Sequence, residues 1–234
     1  MITKKRLILV LIILLVIFYA FAFEDTFLNG KGNNQESNII ELNEINAQNE
    51  ITKLLFNRKS IRNYSQKPLE LSDISKIIWA AEGINVDGIS GPTRTSPSAG
   101  ATNPLVIYLS VSNVNDLKPG LYRYDPIEHS IEQIIEKDIS NSLAKAALNQ
   151  SPVSNAPAVL VITADYNKTT DRYDKRGIKY VHMESGAAAE NAILTAQSLG
   201  IDSVVIGAFY DKEIKKVMGE ISEEPQLLIP LGIK

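Results

Sequence analysis

Cysteine is absent from all 234 residues. That absence removes disulfides, thiolate metal sites, iron–sulfur clusters and cysteine nucleophiles together, and it leaves the redox compartment open. Histidine is nearly as scarce. His129 and His182 are the whole supply, too few for a polyhistidine metal centre, and no metal site is expected. Charge of one sign is lacking as well: the formal net charge is −3 and the pI about 5.5. No global basic field therefore draws the chain to nucleic acid. No internal repeat is present. What remains is ordinary for a folded protein, with 44% hydrophobic and 22% charged residues, enough for one sizeable domain and a tail.

The hydrophobic residues are unevenly placed. Lys4, Lys5 and Arg6 precede an unbroken apolar run from Leu7 to Phe23. As a helix that run is roughly 25 Å long, at the lower limit for spanning a bilayer. The basic flank favours the cytoplasmic side, which puts everything after Phe23 across the membrane. Residues 1–23 thus read as an N-terminal membrane anchor that holds the domain on the extracytoplasmic side. Ala20-Phe21-Ala22 also fits a small-x-small cleavage site, so secretion after signal-peptide removal stays open. Residues 24–48, rich in Asn, Glu and Gly, read as a polar linker. The folded domain is expected over 49–234.

Helical spacing at Ile51, Leu54 and Leu55 is followed by the polar turn "NRKSIRN". A second helix is expected from an N-cap at Ser72 to a stop at Gly83. Residues 84–103, rich in Gly, Pro, Ser and Thr, read as one long loop. Strands are expected at 104–111, as a pair within 120–134 joined by Asp125-Pro126, at 156–164, at 201–209 and at 226–234. Helices are expected over 138–149, over 178–199, and from a cap at Asp211 to Gly219. In "ESGAAAENAILTAQSLG" small residues run nearly all round, which predicts a central buried helix. Strands interleaved with helices give an α+β sandwich with a mixed, largely antiparallel sheet.

Four short segments carry chemical potential. Arg58, Lys59, Ser60 and Arg62 concentrate anion donors within five positions. "SPSAGATNP" over 96–104 lets backbone N–H groups approach a ligand. Gly207-Ala208 ends a strand just before a helix, and Gly232-Ile233-Lys234 puts a cation at the end of the sequence. A phosphorylated aromatic cofactor needs such parts: bidentate arginine and a hydroxyl for the phosphate, and a small-residue ledge for a flat ring. Taken singly, each segment also reads as a solvated turn or a plain loop.

Together, "RKSIRNY", "SPSAG", "PGLYRYDPIEHSIEQI", "MESGAAAENAILTAQSLGIDSVVIGAF" and "PLGIK" resemble, in order and spacing, the nitroreductase superfamily. The Gly-Leu-Tyr-x-Tyr-x-Pro-x-x-His segment looks like its SagB-type dehydrogenase branch, which includes azoline oxidases. The resemblance covers about residues 50–234. It implies a three-layer α/β/α sandwich, an FMN-dependent oxidoreductase and a homodimer whose interface builds two shared FMN sites. It further implies that Arg58 and Ser60, with Lys59 beside them, contact the flavin phosphate. Arg62 would lie by the N1/O2 edge of the ring and stabilise the negative charge of its reduced form. Pro97, Ser98, Ala99 and Gly100 would reach the cofactor from the partner subunit, Gly207 and Ala208 would meet N5, and Lys234 matches the basic residue of a C-terminal Gly-x-Arg/Lys.

Azole-forming members carry a Lys-Tyr pair before the central helix, and Lys179-Tyr180 stands at the matching place. That pair reads either as a catalytic proton-transfer couple or as a solvent lysine beside a packing tyrosine. The implied reaction is ping-pong hydride transfer from a donor such as NAD(P)H to a small organic acceptor. Oxidation of an azoline-like heterocycle and a non-catalytic, membrane-tethered flavin-binding module are the alternatives.

Overall fold

The computed structural model describes Leu15, residues 42–88 and residues 91–234. The anchor read over 1–23, apart from Leu15, and most of the linker read over 24–48 lie outside the described residues. Residues 42–48 are exposed and carry no regular structure. Among the described residues no helix is long and apolar enough to cross a membrane. One compact unit runs from Asn46 to Lys234.

That unit opens on a capping box. The Asn49 side chain accepts from the Thr52 N–H at 2.8 Å, while the Asn49 N–H donates to Thr52 Oγ1 at 3.1 Å. Two orphan donors are satisfied together, and α1 (Glu50–Asn57) begins there. The second helix, α2 (Leu71–Glu82), buries Ile74, Ile77, Ile78 and Ala81. Ser72 lies inside it. The cap position is Glu70, whose side chain makes no capping bond, and Gly83 ends the helix as expected.

The stretch expected as one long loop folds in part. A hairpin of β1 (Ile84–Gly88) and β2 (Gly91–Arg94) precedes a single 3-10 turn at Ala99–Ala101. A meander follows, formed by β3 (Leu105–Val111), β4 (Gly120–Asp125) and β5 (Ser130–Ile135). The helix expected over 138–149 is two, α3 (Ser140–Ala146) and α4 (Ser151–Asn155). Leu148 and Asn149 break it by taking left-handed backbone (φ 59° and 58°), and Pro152 starts the second piece. The chain continues through β6 (Ala158–Ala164), α5 (Asn167–Tyr173), α6 (Arg176–Ser198), β7 (Asp202–Ser203), α7 (Asp211–Val217) and β8 (Glu224–Gly232). Asp211 is the first residue of α7, not its cap, which is Tyr210. The strand expected over 201–209 pairs only at β7 and through a bridge from Ile206 to Leu228.

The six-stranded sheet has the order β5-β4-β3-β6-β8-β7, and every neighbouring pair in it is antiparallel. The expected mixed sheet is therefore corrected. A parallel neighbour needs the chain to re-enter from the opposite end. Here both long helical excursions bring it back at the end it left, as the pairing of Ala164 with Glu224 shows.

Side chains alternate across this sheet. Ile107, Leu109, Leu160 and Ile162 face α2 and α6 in one cluster, whereas Tyr108, Val159, Val161 and Leu228 face α3, α4 and α7 in the other. The three-layer α/β/α sandwich follows from that period of two. Helix α6 is not enclosed, contrary to its small-residue pattern. Ala188, Ala192 and Ala196 are buried against α2 and the sheet, but Met183 is 62% exposed and a Cβ at Gly186 would meet nothing within 4 Å. One side of the helix is packed and the other is open.

Candidate functional site

The basic turn leaves α1 in extended backbone, with Arg58 at φ −61° and ψ 123°. Two bonds fix its course across the C-terminal end of α6. The Ile61 N–H donates to the Ser203 carbonyl at 2.9 Å, and Gln197 Nε2 donates to the Leu54 carbonyl at 2.8 Å. Among the described residues the side chains of Arg58, Lys59, Ser60 and Arg62 form no hydrogen bond or ion pair. Arg58, Lys59 and Ser60 line a cavity of about 50 Å³ together with Gln197, Asp202 and Ser203.

The C-terminal strand closes on this turn. Ser65 donates both its N–H and its hydroxyl to the Ile233 carbonyl, at 2.6 and 2.7 Å. The Lys234 N–H donates to Asp202 Oδ2 at 3.2 Å. Asp202, an acid in the wall of the cavity, thus has one oxygen engaged by the C-terminal segment. Beyond Val205 the backbone of Gly207 and Ala208 is exposed, and a Cβ at Gly207 would meet only Leu227, at 3.8 Å. It forms an open ledge. Arg58, Lys59 and Ser60 therefore share one cavity with Asp202, which Lys234 engages, and Gly207 and Ala208 follow closely along the chain from Val205, another of its lining residues.

Pro97 to Gly100 lie apart from that cavity. That loop lies at the other end of α6, bound to α5: Arg172 Nη1 donates to the Gly100 carbonyl at 2.7 Å, and the Thr102 and Thr169 hydroxyls meet at 2.8 Å. Gly100, Ala101 and Asn103 all take positive φ (59°, 55° and 43°), a concentration of strain typical of segments held for function. Tyr180 sits at the same end, its ring edge-on to Tyr173 at 5.1 Å and under Arg176 at 5.5 Å. Lys179 beside it is exposed. From Glu184, next to the loop, to Gln197, next to the basic turn, the helix rises roughly 20 Å. A single chain does not unite the two groups.

Three residues near the loop escaped the sequence reading. Glu82 and Glu184 are 2% and 3% exposed. Ser96 Oγ donates to Glu82 Oε2 at 2.7 Å, and Arg94 Nε stands 3.5 Å from Glu82 Oε1. Both oxygens of Glu184 lack a hydrogen bond; the Ser98 hydroxyl and the Ala99 N–H act on its charge from outside bonding geometry. Burial, the largest cause, pushes each carboxyl up to about 7. The available signal was a glutamate just before the small-residue run "SGAAA", and an arginine two residues before "SPSAG". His129 and His182 are structural by contact. His129 bridges Ser75 (2.9 Å) and Tyr124 (2.8 Å), and His182 meets Tyr166 at 2.7 Å.

The model of the nitroreductase family matches residues 55–233. Protein MJ1384 of Methanocaldococcus jannaschii, which carries a provisional nitroreductase name, is 42% identical over 203 residues, covering 87% of this chain and 98% of its own length. Among solved structures, one from Ralstonia eutropha, provisionally named a nitroreductase, superposes with a TM-score of 0.66 at 28% identity, covering 83% of this chain and 87% of that one. The NADPH:FMN oxidoreductase of Vibrio harveyi complexed with NAD+ shares the fold, with a TM-score of 0.55 at 21% identity over 79% of this chain and 69% of that one.

Proposed function

The chain belongs to the nitroreductase family and is an FMN-dependent oxidoreductase, and from that premise we propose where its parts hold the cofactor and what they do. Arg58, Lys59 and Ser60 hold the FMN phosphate. The observation that carries this is that their side chains form no hydrogen bond or ion pair among the described residues, which leaves two cations and a hydroxyl to meet an anion. Arg62 supplies positive charge to the ring edge. The ledge at Gly207 and Ala208 accepts the flat ring, since a Cβ at Gly207 would meet only Leu227 and both residues are exposed. FMN, when bound, accepts and returns a hydride. The chain's own work is to hold, orient and electrostatically tune it.

Pro97 to Gly100 serve the cofactor of a partner subunit. Two copies facing each other through the open side of α6, antiparallel about a twofold axis, bring the loop end of one helix to the phosphate end of the other. The roughly 20 Å between the two groups within one chain supports this reading, because one flavin ring and its phosphate tail need both. Lys179 and Tyr180, at the loop end, exchange protons with the substrate. A nicotinamide donor followed by a small organic acceptor in the same slot completes a ping-pong cycle, and the motif order supports the SagB-type branch.

Anaerobic addition of NADH or NADPH to the flavin-loaded protein tests the reaction. Bleaching of the flavin bands is expected. Bands that persist with both donors would overturn the nicotinamide assignment.

A further inference from the structure

Two buried acids lie beneath the 97–100 loop, and one guanidinium serves both. With Glu82, Glu184 and Arg94 all ionised, the interior would carry a net charge of −1. One added proton makes it neutral, the state that burial favours. Glu82 keeps its charge more easily, since Ser96 donates to it and Arg94 pairs with it. Glu184 has no such direct contact: Arg94, Ser98 and Ala99 favour its charge only from farther off, and both its oxygens are orphaned at 3% exposure.

The other charged or titratable groups facing the pair are few. From α5 come Lys168, whose Nζ lies 3.4 Å from the Asn103 carbonyl, and Arg172, which is engaged by Gly100. From β4 come Tyr124, which burial pushes up to about 12 and which is therefore neutral, Asp125 beyond it, and Arg123, exposed and paired with Glu223 at 3.2 Å; from β5 comes Glu132, also exposed. None supplies a second buried cation. A cavity of about 430 Å³, lined by Glu82, Arg94, Tyr124 and Lys168 among others, joins Glu82 to the exposed side chains of Lys168 and Asp125. Water in it gives protons a route to Glu82, on which the charge of Glu184 acts.

We propose that Glu82 and Glu184 hold one proton between them, and that this store answers to the charge on the FMN faced by the 97–100 loop. The inference rests on the reading that this loop meets the cofactor. A hydride from a nicotinamide-class donor brings two electrons and one proton to the flavin and leaves the donor oxidised. The negative charge then present on the cofactor draws a further proton from cavity water onto the pair. When the hydride passes on to an organic acceptor the charge disappears. The pair then releases its proton, and hydride plus proton complete the acceptor's two-electron reduction. Glu184 acts through the loop and is a positioning residue for that proton.

The test is carbon-detected NMR of the glutamate side-chain carboxyls, titrated in the full protein before and after anaerobic reduction. The Glu184 carboxyl should titrate near neutrality in the oxidised protein, move to higher pH on reduction, and vanish from both titrations in Glu184→Gln. The reduction potential should fall more steeply with pH in the native protein than in Glu184→Gln, by up to twofold in slope if a whole proton is coupled to the two electrons. Glu82→Gln, which keeps Glu184, should flatten the slope too. No neutral-range titration, or one unmoved by reduction, overturns the inference. Flavin content is read independently from the visible spectrum. A protein without flavin that still shows the titration would overturn the functional reading and the coupling, while leaving the shared proton as measured.

Discussion

Arg172 Nη1 donates to the carbonyl of Gly100 at 2.7 Å, and that bond fixes a loop whose backbone few residues tolerate. Gly100 has φ 59°, and a Cβ there would stand 2.6 Å from Arg172 Nη1 and closer still to the Tyr173 hydroxyl. Gly100→Ala must therefore either displace α5 or rearrange the loop. Left-handed backbone alone costs an alanine about 1 kcal/mol, and the clash adds to it. The expected outcome is a lower Tm together with weaker flavin binding, measured by melting and by flavin titration. A variant with native Tm and native affinity would show that the loop is neither strained nor near the cofactor.

Arg58 and Ser60 should behave in the opposite way. Their side chains form no hydrogen bond or ion pair among the described residues, so Arg58→Ala with Ser60→Ala removes no contact of the described fold. Each charged hydrogen bond to a phosphate contributes about 1.5–3 kcal/mol, which predicts a loss of FMN affinity of tenfold or more. Circular dichroism should report an unchanged melt of the flavin-free protein. Retention of stoichiometric FMN at sub-micromolar protein would remove the phosphate assignment.

Stability should depend on pH through the buried acids. Both carboxyls sit near 7 in the fold, against 4.5 when exposed. Between those values the folded chain holds protons that the unfolded chain has released. The contribution is thus fully present below about pH 4.5 and is lost as pH rises through 7. Glu184→Gln removes part of that loss. Relative to the native protein it should gain on the order of 1–3 kcal/mol at pH 8 and show little gain at pH 5. Paired denaturant titrations at the two pH values give the difference. An equal effect at both would mean that Glu184 is ionised throughout.

Gly232 lies against the face of Tyr64, where a Cβ would come within 2.6 Å of the ring. The Tyr64 hydroxyl donates to the Ile61 carbonyl at 2.8 Å, so the ring cannot swing aside without freeing the basic turn. Gly232→Ala should destabilise by about 1–3 kcal/mol, the usual range for overpacking. It should also weaken flavin binding. Tyr64→Phe keeps the ring and loses only the hydrogen bond, so it should affect binding less.

Much of this was legible because period and composition speak locally. Nearly unbroken apolar runs in β3 and β6 announced buried strands, and "RKSIRN" announced a concentration of donors. What stayed hidden depends on contacts distant in sequence. Glu82 and Glu184 are separated by most of the domain, and nothing local says that they converge under one loop. Strand direction was likewise set by where the helical excursions re-enter the sheet. The split at Leu148 and Asn149 required two residues to adopt backbone that neither strongly signals. The open side of α6 misled for a physical reason: small residues permit close packing all round, but they do not say whether the neighbour is the same chain or another.

That open side yields the last prediction. Met183, Gly186 and Glu190 lie three and four residues apart, so they fall on one face of α6. At its middle, a Cβ on Gly186 would meet nothing within 4 Å among the described residues. If a second copy covers this face, Gly186→Trp inserts a large ring where two backbones approach most closely. The ring should leave the isolated fold untouched, because it points away from every described neighbour. It should convert dimer to monomer by sedimentation, with an unchanged melt of the separated chain. Flavin should leave with the partner, since the 97–100 loop of one chain and the basic turn of the other would no longer meet. A monomeric variant that keeps full FMN affinity would mean that each chain builds its site alone. A variant that remains dimeric would place the interface on another face of the molecule.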